Sequence, residues 1–184
     1  MKAFFERVSL EWDEMRSSFY SADIIDALAD RAQISPDTTV VDVGTGTGFV
    51  AAGLAGRPAT VLGVDNSPAM LAVARGNLAA LGADNVTLVE GEVHDLPLVD
   101  DSVDVAVANM VLYHAYDPGM MLTEMDRVVW SGGRIAITAE VEHGYEWMRT
   151  EQADIWLGFT PGQVQTYFTS AWLVDYGYAA PGMQ

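Results

Sequence analysis

Val40-Val41-Asp42-Val43-Gly44-Thr45-Gly46-Thr47-Gly48-Phe49-Val50-Ala51 decides how the rest of the chain is read. A β-branched run ends in three glycines spaced two apart, and small and apolar residues follow. Glycines at 44, 46 and 48 let the chain turn tightly and bring backbone N–H groups close to a ligand as a helix begins. Glycine turns are common in α/β proteins, so the neighbours must give this one its meaning. Upstream, TTVVDVG (Thr38–Gly44) has the composition of a buried strand, and GFVAAGLAG (Gly48–Gly56) reads as a short helix closed by glycine.

Working outward, the same alternation repeats. ATVLGVD (Ala59–Asp65) is a second strand. Ser67 and Pro68 supply an N-cap and a first helical position, and the helix that follows places Leu71, Ala74, Leu78 and Leu81 on one face until Gly82 stops it. NVTLVEG (Asn85–Gly91) and SVDVAVAN (Ser102–Asn109) are strands three and four. A helix over Gly119–Val129 and an SGG turn (Ser131–Gly133) lead to a fifth, RIAITAE (Arg134–Glu140). Strands apolar on both faces, alternating with helices, predict an α/β fold with a mostly parallel, twisted, Rossmann-like sheet covered by helices on each side. The expected organisation is one domain over 1–184: a helical cap over 1–35, a core over 36–140, and a segment over 141–184. The cap reads as two helices, Lys2–Ser17 and Ala22–Gln33. The last segment holds His143, Tyr145, Trp147, Met148, Trp156 and Phe159, then a helix (Pro161–Ala171) and a terminal strand (Leu173–Ala179).

Composition narrows the function. In 184 residues, 26 Asp and Glu face 9 Lys and Arg, a net charge of −17, and Lys2 is the single lysine. So acidic a surface repels phosphate backbones and anionic membranes, so neither nucleic acid nor membrane is an expected partner. The apolar runs are too short for a transmembrane helix. Glu6, Glu11, Asp13 and Glu14 stand where a signal peptide would be apolar, so a soluble, cytoplasmic protein is expected. With no cysteine, disulfides, thiolate metal sites and cysteine nucleophiles are excluded together. Asp95, Asp100, Asp101 and Asp104 read as solvated loop charges, and no metal site is expected.

The acids around the glycines choose among ligands. Asp65 ends the second strand, where a carboxylate can accept hydrogen bonds from both ribose hydroxyls. Two ligands suit such an acid after a glycine loop: a dinucleotide or S-adenosylmethionine. A dinucleotide loop wants a third small residue at position 49, where Phe49 stands. Asp42 would set a negative charge towards a pyrophosphate but would favour an ammonium group. The acids therefore suit a cationic sulfonium nucleoside.

DVGTGTG, GVDNSPAML, VEGEVHDLPLVDDSVDVAVANMVLYH and SGGRIAI, in this order, resemble the successive motifs of class I S-adenosylmethionine-dependent methyltransferases, closest to small-molecule enzymes of the type-11 or ubiquinone/menaquinone-biosynthesis kind. The match runs from about Val40 to Glu140. By that resemblance, Gly44, Thr45, Gly46 and Gly48 would line the methionine and ribose side, and Asp42 would serve the amino group. Asp65 would hold the ribose, with Asn66 and Met70 beside the adenosine. Glu92 and Val93 occupy the adenine-contacting segment, which reads G-E-V here instead of G-D-A. Asn109 closes the fourth strand near the methionine, and Tyr20 would cover the cofactor. His114 is the candidate general base, a role needed only if the acceptor must lose a proton. His94, in an acidic loop, is expected at the surface, whereas His143 and Trp147 are expected to face the substrate.

The resemblance implies methyl transfer to a small-molecule acceptor with S-adenosylhomocysteine as product. A non-catalytic methyltransferase-like binding module is the alternative. Arsenite methylation, known in relatives of this family, relies on cysteines that this sequence lacks. The family sheet ends with a sixth strand and an antiparallel seventh beside the fifth. Here the seventh is expected to be missing, which would leave an open edge able to pair with a second copy.

Overall fold

The computed structural model describes residues 2–58 and 60–179. Its elements run α1 (Lys2–Val8), α2 (Trp12–Ser17), α3 (Asp23–Ala32), β1 (Thr39–Val43), α4 (Phe49–Leu54), β2 (Thr60–Asp65), α5 (Pro68–Leu81), β3 (Val86–Glu90), β4 (Val103–Asn109), α6 (Pro118–Val128), β5 (Val129–Thr138), α7 (Met148–Glu151) and α8 (Pro161–Ser170). The five strands form one sheet in the order β3-β2-β1-β4-β5, and every pairing is parallel.

The period-two geometry of β1 sorts the core into two layers. Val40 packs with Ile25, Leu28, Val50 and Leu54 from α3 and α4. Val41 and Val43 point to the other face and join Met121, Leu122 and Met125 of α6. All of these side chains are almost fully buried. The helices begin and end where their residues dictate. Ser67 Oγ accepts from the Met70 amide at the start of α5, with Pro68 in the first turn, and Gly82 closes it at a φ of 64°. Asp117 caps α6 in the same way by accepting from Met120 N.

The chain leaves β1 towards β2 and β3 on one side and returns to the other side of β1 with β4. The C-terminal ends of β1 and β4 are therefore the switch point, where loops diverge and open a crevice.

Four expectations need correcting. The SGG segment is not a turn before the fifth strand but lies inside β5, which starts at Val129. The register shifts between Val103 and Val105 of β4, Gly132 has a φ of 97°, and Gly133 sits so tightly on the Asp104 carbonyl that no Cβ would fit. The cap holds three helices rather than two, with the first interrupted after Val8. Leu173–Ala179 forms no strand: Trp172 and Asp175 hold φ values of 62° and 56°, which break an extended run. Asp104 is no free loop charge, since it accepts from the Thr39 amide (2.7 Å) and from Trp130 Nε1 (2.8 Å), tying β1 to β5. Among the described residues the sheet therefore stops at five strands, and the outer edge of β5 has no strand partner. No helix among them is long and apolar enough to cross a membrane.

Candidate functional site

At the switch point the chain turns at Gly44 (φ 71°), whose amide, like that of Thr45, donates to the Val64 carbonyl. A Cβ on Gly44 would meet Val111 Cγ2 at 2.6 Å, so the backbone approaches this closely only as glycine. Asp65 fixes the loop from the end of β2. Its Oδ2 accepts from Gly46 N (2.9 Å) and its Oδ1 from Ser67 N (2.9 Å). Each oxygen keeps a lone pair for a further donor. Burial raises the Asp65 pKa, with Glu92 adding to it and the backbone bonds opposing. Asp42 lies deeper. It accepts from Thr45 Oγ1 (2.6 Å), and burial pushes it up to about 6. Asn66 Nδ2 donates to Glu92 Oε2 (2.9 Å), coupling the ends of β2 and β3, while Asn109 Oδ1 accepts from Thr138 Oγ1 (2.7 Å).

These groups wall an open cleft that holds about 950 Å³ of empty space, solvent at its mouth included. Of the residues expected at the site, Tyr20, Asp42, Gly44, Thr45, Gly46, Asp65, Asn66, Met70, Glu92, Val93, Asn109 and His114 line it. Gly48 does not: it caps α4 at a φ of 82°, and its missing Cβ lets α5 approach, since a Cβ there would lie 3.2 Å from Ala74 Cβ. His143 and Trp147 also lie off the cavity. The His143 ring accepts from Tyr145 N at Nδ1 and donates from Nε2 to Glu140 (2.9 Å), and Trp147 is exposed. His94 is not at the surface. It is buried in the cavity wall with its ring 3.7 Å from that of Tyr116.

The roof is the part least visible in the sequence. Phe5, Trp12 and Arg16 of the cap face the cavity, together with Phe49 and Tyr116. Phe5 packs edge-on against both Trp12 (5.2 Å) and His114 (5.0 Å), and the Arg16 guanidinium sits 3.7 Å from the Phe49 ring centre. Asp13 pins α2 to the glycine loop by accepting from Thr47 Oγ1 (2.7 Å) and Asn77 Nδ2 (3.2 Å). Trp12 and Arg16 stand four residues apart and so share one side of α2, whereas Phe5 comes from α1, across the break after Val8.

His114 sits in a 3₁₀ turn after β4. Its Nδ1 is 3.3 Å from the Ala153 carbonyl, which makes Nδ1 the protonated nitrogen and leaves the lone pair on Nε2. Burial lowers its pKa to about 4, so it is neutral at physiological pH. Burial also lifts the Tyr20 phenol to about 12. A second hollow, with room for about one water molecule, shares Trp12, Arg16, Tyr20 and His114 with the first and continues to Tyr113, Glu140 and Asp154.

The large cavity suits S-adenosylmethionine. Asp65 offers acceptors to a ribose diol and buried Asp42 offers negative charge to an ammonium group, while the glycine loop beside them has its amides at 44, 45 and 46 engaged within the fold. Arg16, the cation among the lining residues, is already stacked on Phe49, so a pyrophosphate would find little to neutralise it. Among the described residues no three His, Asp or Glu side chains converge as metal ligands.

Comparison with known proteins agrees with this reading. The family described as "Methyltransferase domain" matches residues 34–170. An arsenite methyltransferase of Halobacterium salinarum is 35% identical over a 139-residue alignment that covers 67% of this chain and 36% of that protein. A demethylmenaquinone methyltransferase of Clavibacter sepedonicus is 34% identical over 140 residues, covering 74% of this chain and 56% of the relative. The chain thus spans between about a third and just over half the length of these two relatives. An S-adenosylmethionine-dependent methyltransferase from Aquifex aeolicus shares the fold, with a TM-score of 0.64 at 21% identity, over 83% of this chain and 88% of that one. The matched core, carrying the glycine loop and its acids, belongs to the methyltransferase-domain family, the class I S-adenosylmethionine-dependent methyltransferases.

Proposed function

We propose that this chain methylates a small-molecule acceptor with S-adenosylmethionine and leaves S-adenosylhomocysteine. The observation that carries the reading is Asp65: a carboxylate in the cavity wall braces the glycine loop and the start of α5 with one bond to each oxygen, which leaves each oxygen a lone pair. When bound, the cofactor supplies a methyl group already activated by positive sulfur. The protein's part is therefore alignment and exclusion of water. Asp65 holds the sugar, Asn66, Met70, Glu92, Val93 and His94 flank the base, and Asp42 and Asn109 face the amino-acid end. The cap aromatics Phe5, Trp12 and Tyr20 close the cavity from above.

His114 borders both pockets, and its Nε2 lone pair is free to take a proton from an acceptor that must lose one. The absence of cysteine from these 184 residues argues against an arsenic acceptor, whatever the named activity of the Halobacterium relative. Aromatic walls and quinone-related relatives support an organic acceptor. The free outer edge of β5 would accept a strand from a second copy. Calorimetric titration with S-adenosylmethionine and S-adenosylhomocysteine tests the assignment. Binding of both at micromolar concentration is expected, and no heat at high micromolar ligand would overturn it.

A further inference from the structure

The segment that follows β5 grips His114 from both sides. The Ile155 and Trp156 amides both donate to the Tyr113 carbonyl (3.0 Å each), and Trp156 Nε1 donates to the Ala115 carbonyl (2.9 Å). Just before them Ala153 takes a left-handed φ of 61°, a conformation costly to a residue with a Cβ and kept only where its surroundings hold it. That turn sets two acceptors before one ring nitrogen. His114 Nδ1 lies 3.3 Å from the Ala153 carbonyl and 3.6 Å from Asp154 Oδ1. Only the first is within hydrogen-bond length. The Asp154 side chain is 0% exposed, and neither of its oxygens has a hydrogen-bond partner among the described residues.

A neutral imidazole needs no more than the carbonyl. An imidazolium would carry its charge inside the fold, beside a hollow with room for about one water molecule, too little to solvate an ion. Among the described residues only Asp154 brings a carboxylate within 4 Å of the His114 ring nitrogens. An acid without a partner while His114 is neutral thus gains one when His114 takes a proton, and each charge then offsets the burial of the other. Burial by itself holds both groups uncharged. It lowers His114 to about 4, with the Ala153 bond opposing and the amino-terminal charge adding. It lifts Asp154 to about 7, with Glu140 adding and His143 and Arg149 opposing. Tyr20 and Tyr113, on the same hollow, are raised by burial and stay neutral phenols. Arg16 also lines it, and its charge makes a compensating carboxylate the more necessary.

We propose that Asp154 is the positioning residue of His114: it orients the ring through Nδ1 and answers the charge that forms when Nε2 takes a proton. The proposal rests on the methyltransferase reading above and serves an acceptor that must lose a proton. Nε2 takes that proton from the reacting atom, whose electron pair forms the bond to the methyl carbon. The donor's C–S bond breaks and its pair stays on sulfur. Meanwhile Nδ1–H passes from the Ala153 carbonyl to Asp154 Oδ1, and Nε2 later returns its proton to solvent through the open cleft. Asp154, fully buried, touches neither acceptor nor cofactor.

The test is nuclear magnetic resonance of the full chain, with isotope-labelled histidine and saturated with S-adenosylhomocysteine. The chain holds three histidines, and His114→Gln identifies the signal of interest. The His114 ring is expected to titrate higher in the parent than in Asp154→Asn by about one pH unit or more, roughly a tenfold change in proton affinity. The Nδ1–H resonance of the parent is expected to move downfield as the ring takes its proton, because its acceptor becomes a carboxylate. Should Asp154→Asn not fold, that resonance decides. A smaller difference between parent and variant, or an Nδ1–H resonance that stays in place, overturns the role of Asp154 alone. Failure of the unaltered protein to bind S-adenosylhomocysteine overturns the methyltransferase reading and this proposal with it.

Discussion

Asp65, half-buried in the cavity wall, and Asp154, fully buried, live in opposite environments. Asp65 stands on a strand end and receives two backbone amides from the loop and helix it joins. Asp154 stands in the irregular stretch after β5 and receives none. The first is satisfied by the fold and uses spare capacity for a ligand. The second has no hydrogen-bond partner among the described residues. A carboxylate on a strand end can be satisfied by the regular frame, whereas one in an irregular segment depends on how that segment packs.

The largest effect should come from removing the satisfied acid. Two charge-assisted hydrogen bonds to a ribose contribute about 2 kcal/mol each, so Asp65→Ala should lower cofactor affinity by about a thousandfold. Calorimetry with S-adenosylhomocysteine measures it, and a loss under tenfold would mean Asp65 serves the loop rather than the ligand. Next comes the backbone that Asp65 braces. Gly44→Ala imposes a side chain at a φ of 71° and drives it into Val111. The expected loss is about 2–3 kcal/mol of folding stability by urea denaturation.

Asp154 should behave in the reverse sense. Its pKa rises from 3.8 to about 7 on folding, so between those values the folded state holds a proton that the unfolded state has released. Stability contributed by that proton is present below pH 4 and lost as pH climbs through 7. Asp154→Asn keeps the shape without the charge, and should be more stable than the parent at pH 8 by about 2 kcal/mol and equal to it at pH 4. Denaturant midpoints at the two pH values compare them. Destabilisation at pH 8 would show that a partner already holds the carboxylate.

The contrast also explains what the sequence disclosed. Gly44, Gly46, Asp42 and Asp65 were legible because their roles follow from local spacing: a strand end, a tight turn, a helix start. Ser67, Pro68 and Gly82 marked α5 for the same reason. Asp154 was not legible, because its isolation depends on how residues 141–159 fold over the 3₁₀ turn at 112–114. There the Ile155 and Trp156 amides reach the Tyr113 carbonyl. His143 drew attention as a histidine among aromatics, yet it only supports Glu140. His94 looked solvated because its neighbours in sequence are acidic, while its neighbours in space are Tyr116 and the cavity. The terminal strand failed for a backbone reason, since an apolar and aromatic run cannot show that Trp172 and Asp175 will turn left-handed.

The smallest predicted effect concerns the join between the two regions. Among the described residues Asp13 makes the side-chain hydrogen bonds that hold α2 to the glycine loop and α5, accepting from Thr47 and Asn77. Asn77 also donates to the Thr47 carbonyl, so the loop keeps one tether when Asp13 is lost. Net worth per such hydrogen bond is about 0.5–1.5 kcal/mol, and the partly exposed Asp13 belongs near the low end. Asp13→Ala should therefore leave the global unfolding midpoint almost unchanged. It should speed amide hydrogen exchange in 2–17 several-fold, because α1 and α2 are short and draw their stability from docking. Cofactor affinity should fall about threefold to tenfold, since a roof that is open part of the time binds in proportion to its closed fraction. If exchange quickens equally in β1 and β4, Asp13 supports the core as a whole. Confinement of the change to the cap would mean that the frame and its cover open independently.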